Sequence, residues 1–130
     1  MRLRFDEREL ALLRAAEQIR GAELARDARP TELRSALALA KAGHKLRLAA
    51  PGPSLVFEEG ELRMLLAAVR FAHDEVAAAA SQRDTAADGR VQAVLKAFPE
   101  LVDRGRWRSF GLTRELEELA QRLDLALRST

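Results

Sequence analysis

A fourteen-residue pattern occurs twice in this chain, and it restricts the fold more than any single motif does. Leu3-x-Phe5-Asp6-Glu7-x-Glu9-Leu10-x-x-Leu13-x-Ala15-Ala16 returns 52 residues later as Leu55-x-Phe57-Glu58-Glu59-x-Glu61-Leu62-x-x-Leu65-x-Ala67-Ala68, identical at eight of fourteen positions. Each copy opens with apolar residues two apart, the spacing of a strand with one face inward. An acidic turn follows, then apolar residues three and four apart, the spacing of an amphipathic helix. Asp6 with Glu9 has the form of a capping box, and the preceding Phe can staple onto the first helical turn. The pattern predicts two strand–helix units (3–16 and 55–68) related by a pseudo-twofold, with their strands in one small sheet. Duplication is the favoured origin over convergence on a good strand-to-helix turn. Arg114-Glu-Leu-x-x-Leu echoes Arg8-Glu-Leu-x-x-Leu more faintly.

What surrounds the repeat is helical material. Of the apolar residues, 25 are Ala and 22 Leu, against six Val and one Ile. Ala and Leu favour helices, and the β-branched residues that favour strands are scarce. The fold class expected is α+β, mostly α: about five helices with a small antiparallel β element, in a single domain spanning 1–130. Leu10, Leu12, Leu13, Ala16, Ile19 and Leu24 mark the first helix, ending near Arg26–Arg29 before Pro30, with Arg20 and Glu23 interrupting its apolar face. Thr31 is the expected cap of a second helix, with Leu33, Leu37 and Ala40 on one face and Gly43 as its stop. Lys45-Leu-Arg-Leu then alternates with period two, and Pro51-Gly52 suits a type II turn. Residues 45–57 therefore read as a β-hairpin, alongside a short N-terminal strand at 2–5.

The third helix, from about Glu59 to Ser81, holds Leu62, Leu65, Leu66, Val69, Ala72 and Val76 in one stripe, with Met64 and Phe71 on another side. Two stripes imply two contacted surfaces, so Met64 and Phe71 are candidates for self-association. Val91, Val94, Leu95 and Phe98 follow in a short helix behind an Asp88 cap. Thr113 is expected to cap a last helix carrying Leu116, Leu119, Ala120, Leu123 and Leu127, with Glu118–Arg122 and Asp124–Arg128 as outward pairs.

Reactive chemistry is thinly provided. The chain has no Cys, which excludes disulfides and thiolate metal sites, and no Tyr. No nucleophile elbow, Walker loop or dinucleotide fingerprint occurs. His73 stands on a helix with Val69 and Ala77 at the chelating spacing, so it reads as a half-buried histidine and not as a ligand. No catalytic residue, cofactor or metal is expected.

Net charge is only +2, and the high isoelectric point reflects 19 arginines. Charge is uneven along the chain, however: 31–57 and 90–112 each carry an excess of +3, around an acidic 58–89. Arg104, Arg106, Trp107 and Arg108, with Lys41, Lys45 and Arg47, are the candidate contacts for nucleic acid, where guanidinium forks grip phosphate and an indole stacks on a base. No stretch is long and apolar enough to span a membrane, and the charged N-terminal residues lack the apolar core of a signal peptide, so no membrane association and a cytoplasmic location are expected. The leading functional expectation is a non-enzymatic protein-interaction or regulatory module, homodimeric or bound to another protein. A nucleic-acid-binding protein is the alternative.

Overall fold

The structure, a computed structural model, describes residues 2–26, 33–81, 89–103, 106–107 and 109–129. In chain order these form β1 (Arg2–Arg4), α1 (Glu7–Arg26), α2 (Leu33–Leu48), β2 (Ser54–Val56), α3 (Glu59–Ser81), α4 (Gly89–Ala97), a 3-10 turn (Pro99–Leu101), β3 (Val102–Asp103), β4 (Arg106–Trp107) and α5 (Ser109–Arg128). Mostly helical with a small antiparallel sheet, this is the expected class. The expected caps Thr31 and Asp88 lie outside the described residues.

α3 is the central helix, packed against α1, α2, α4 and α5. Its stripe of Leu62, Leu65, Leu66, Val69, Ala72 and Val76 is buried throughout, facing Leu10, Leu13, Ala16 and Ile19 of α1 and Leu116, Leu119 and Leu123 of α5 within one core. Arg20, which breaks the apolar face of α1, lays its guanidinium 4.9 Å above the Phe71 ring, so the interruption is a cation on an aromatic face.

The two repeat strands pair with each other. β1 and β2 run antiparallel with Arg2 opposite Val56, Leu3 opposite Leu55 and Arg4 opposite Ser54. Leu3 and Leu55 are equivalent positions of the repeat, and each flanking residue faces the equivalent of its neighbour. A local twofold axis therefore passes between the two leucines. Phe5 and Phe57, also equivalent, meet edge-to-face across it, with ring centroids 6.4 Å apart and both rings buried. This arrangement favours the aromatic quadrupole beyond simple area burial.

The hairpin expected over 45–57 does not form. α2 continues through Gly43 to Leu48, and the partner of β2 is β1. Three contacts explain the difference. Gly43 is a point of close approach: a Cβ there would sit 2.5 Å from Glu17 Oε1 on α1, so glycine lets the two helices touch instead of ending one. Leu46, next in the alternating run, faces the core beside Leu39, Ala42 and Gly43, a helical 3–4 spacing. Arg14 then caps the helix end, donating to the carbonyls of Leu46 (3.0 Å) and Ala49 (2.9 Å). The Leu46 carbonyl also accepts from the Ala49 N–H at 3.2 Å, so Arg14 reinforces a closed last turn, and Lys45 and Arg47 in that turn suit the helix dipole. The Pro51-Gly52 turn survives as the link from α2 to β2. Gly52 has φ +99°, the left-handed conformation that glycine tolerates, and donates to the Phe5 carbonyl at 3.2 Å.

The C-terminal half differs in detail. α5 begins at Ser109, before the expected cap Thr113. The Asp124–Arg128 pair forms at 3.1 Å, but Glu118 pairs with Arg114, and Arg122 turns inward.

Replacing Phe57 by Ala removes one ring of the axial pair and should cost about 3–5 kcal/mol, against roughly 1–2 kcal/mol for Phe57→Leu, which loses the ring contact but keeps most of the apolar volume. Urea unfolding midpoints of the two variants, compared with the parent, test this order.

Candidate docking surface

The helix starts on either side of the axis are built alike. Asp6 N–H donates to Glu9 Oε1 (3.1 Å) and Glu9 N–H to Asp6 Oδ1 (2.7 Å), a complete capping box. In the second copy Glu58 N–H donates to Glu61 Oε1 at 2.9 Å. Each capping carboxylate is then covered by a cation from a distant helix. Arg122 of α5 bonds Glu9 and the carbonyl of Arg4 and lies 5.0 Å above the Phe5 ring. Lys45 of α2 bonds Glu61 (2.6 Å) and the carbonyl of Val56 (3.1 Å) and lies 5.7 Å from the Phe57 ring centre. Glu9 and Glu61, Arg4 and Val56, Phe5 and Phe57 are equivalent pairs, so α2 and α5 perform one role for the two halves. Counted from the clamping cation, both helices bury the same positions: Leu39, Ala42, Gly43 and Leu46 on α2, Leu116, Leu119, Ala120 and Leu123 on α5.

The electrostatics follow from this geometry. Burial pushes the Glu61 carboxyl up, but the hydrogen bonds from Lys45 and the Glu58 N–H, with the nearby charges of Lys45 and Lys41, outweigh it and hold the group below its ordinary range. Glu61 is only 3% exposed, and its Oε2 has no hydrogen-bond partner. Arg8 grips Glu115 with two nitrogens (2.7 and 2.9 Å) and reaches Glu100 at 3.1 Å, which likewise holds Glu115 low. Glu17, squeezed between α1 and α2, is pushed up by burial against the pull of Arg47.

α2 presents the most unusual surface. Leu33, Leu37 and Leu48 are 61%, 64% and 76% exposed, so the face on which Leu33, Leu37 and Ala40 repeat looks outward. At 3.6 residues per turn, these leucines with Ala40 and His44 lie within an arc of about 80°, flanked by Arg47 on one side and Lys41 and Arg34 on the other. α2 contains no acidic residue. The sequence signal for this face was its spacing: once the helix runs to Leu48, the buried set 39, 42, 43 and 46 leaves the leucines outside.

The residues singled out from the sequence fall as follows. Lys41 and Arg47 are exposed on α2, while Lys45 is engaged in the clamp. Arg104 and Arg108 lie outside the described residues; Arg106 and Trp107 form β4, paired with β3. Met64 and Phe71 are partly buried against the core, and Phe71 is covered by Arg20, so neither stands as an open second face. His73 lies 3.2 Å from its neighbour Asp74. Among the described residues no group of three or more His, Asp or Glu could hold a metal ion, and no helix is long and apolar enough to cross a membrane.

No protein-family model, curated protein or solved structure matches the chain.

Glu61, held low in the folded state, contributes stability that is present above the ordinary carboxylate range and lost as pH falls through it. The stability of Glu61→Gln should therefore fall less than the parent's between about pH 5 and pH 3. Lys45→Met, which strands the buried carboxylate, should cost about 1–3 kcal/mol at neutral pH. Denaturant titrations across that pH range read both effects.

Proposed function

We propose that this chain is a non-enzymatic protein-interaction module that docks another protein through the outer face of α2. The observation that carries this reading is the exposure of Leu33, Leu37 and Leu48 along one side of one helix. Contiguous exposed apolar groups rimmed by charge are the usual mark of a binding surface on a folded domain. Leu33 and Leu48 span about 22 Å of helix axis, enough for three to four turns of an apposed helix lying along it. Met64 and Phe71 are the sequence's candidates for self-association, but both pack partly against the core and Arg20 covers the Phe71 ring, so the docking role is assigned to α2.

The partner is a different protein and not a second copy laid α2 against α2. Such a pairing would bring Arg34, Lys41 and Arg47 close to their own copies with no acid on the helix to compensate.

Photo-crosslinking in cells that express the protein tests this reading. A photoreactive residue at position 37 should give discrete protein adducts, one at position 117 on the outer face of α5 should not, and Leu33→Ser with Leu48→Ser should abolish the adducts. Adducts to nucleic acid alone, or none at position 37, overturn the reading.

A further inference from the structure

Resting on that docking role for α2, the partner's chemistry can be read from how the two halves differ around their clamps. Each half has a groove beside its capping carboxylate. The groove at α5, about 330 Å³, is lined by Asp6, Arg8, Glu9, Glu115, Glu118 and Arg122 among others. The groove at α2, about 480 Å³, is lined by Leu37, Ala40, Lys41, His44 and Lys45 on its α2 side and by Glu58 and Glu61 on the other. Asp6 matches Glu58, Glu9 matches Glu61 and Arg122 matches Lys45, while Glu118 on α5 stands at the position of Lys41 on α2.

The first groove is spanned by the chain's own charges, because Arg8 reaches across it to Glu115 and Glu100. In the second, the residue equivalent to Arg8 is Gly60, and a Cβ there would meet nothing within 4 Å. No strap crosses it. Glu61 is neutralised by Lys45, and among the described residues Lys41 and Arg34 form no ion pair. The groove therefore has an apolar side, from Leu37 and Ala40, and an α2 rim whose charges are all basic and continuous with the exposed leucines, facing Glu58 and Glu61 across it.

We infer that the occupant of α2 is an acidic amphipathic helix of a partner protein, its apolar side on Leu33, Leu37 and Leu48 and a carboxylate side chain beside Lys41. Charge complementarity selects the acid, and the leucines select a helix with an apolar stripe over a purely anionic polymer. On a lipid surface the leucines would face acyl chains and the groove would stay empty.

The test uses the whole chain and three labelled twenty-residue helical peptides, read by fluorescence anisotropy. One carries Leu at i, i+4, i+7 and i+11 with Glu flanking the stripe; the second replaces each Glu by Lys; the third keeps Glu and replaces each Leu by Ser. The acidic leucine peptide should bind at least ten-fold tighter than either of the others, and Leu37→Glu should reduce its binding about ten-fold or more. Lys41→Glu with Arg34→Glu should weaken the acidic peptide about ten-fold and strengthen the lysine peptide, a charge swap that a merely misfolded variant would not give. Equal binding of the Glu and Lys peptides, with both lost in Leu37→Glu, overturns the acidic partner while leaving α2 as the docking face. Preference for vesicles containing phosphatidylserine over all peptides, or Leu37-dependent self-association, overturns it in favour of a membrane or a second copy. Absence of binding by every probe, with crosslinking at position 37 also absent, removes both readings.

Discussion

A carboxylate that closes the first turn of a helix must satisfy a backbone N–H and find a counter-charge when it is buried. In this chain both demands are met twice, and the counter-charge arrives from far away in sequence each time. Glu9 is covered by Arg122, 113 residues on, and Glu61 by Lys45. Glu61, almost fully buried, cannot be left unpaired without a penalty of about 1–3 kcal/mol, whereas Glu9 keeps part of its surface in water. Each cation also bonds a strand carbonyl and covers a Phe ring, so one side chain fixes strand, helix start and packing helix together. The antiparallel β1–β2 ribbon and the Phe5–Phe57 contact lie between these two clamps, and the orientations of α2 and α5 follow from them.

The parts of this plan that arise from local periodicity were legible in the sequence. The stripe on α3 and the repeat with its capping residues depend on spacing within about twenty residues, and the pairing of the two copies in one sheet follows from their likeness. The end of α2 was not legible, because Lys45-Leu46-Arg47-Leu48 fits two geometries: a strand with both leucines on one side, or a helix end with Leu46 inward and Leu48 outward. The choice falls to Arg14 and Glu17 on another helix, through contacts that no local pattern encodes. The docking face suffers the same ambiguity. In the sequence Lys41 and Arg47 stand out as candidate nucleic-acid contacts, Leu33 and Leu37 repeat like an ordinary helical face and Leu48 falls in a hairpin arm; the leucines turn outward only because Leu39, Ala42, Gly43 and Leu46 take the core. Phe71 is less open than its spacing suggests for the converse reason: Arg20, an apparent flaw in α1, covers its ring, while Met64 packs partly against the core.

The likeness of the two halves gives the differences between them their meaning. Both helices carrying a clamp bury four equivalent positions, with Leu112 in addition on α5, so their outward faces are free to differ without disturbing the core. On α5 that freedom is used internally: Glu115 holds Arg8 and ties the end of the chain to α1. On α2 it leaves three leucines in water, against one, Leu125, on α5. A leucine side chain gains about 1.5–3 kcal/mol on full burial, so exposing three of them forgoes stability that the buried face alone must supply. A face with only a structural role would have no physical need for that arrangement, since Ser, Gln or Lys at positions 33, 37 and 48 would keep the helix and the clamp equally well. The burial energy left unclaimed on α2 is what the docking partner proposed above would recover, and Arg34, Lys41 and Arg47 beside the leucines favour a partner with acidic groups.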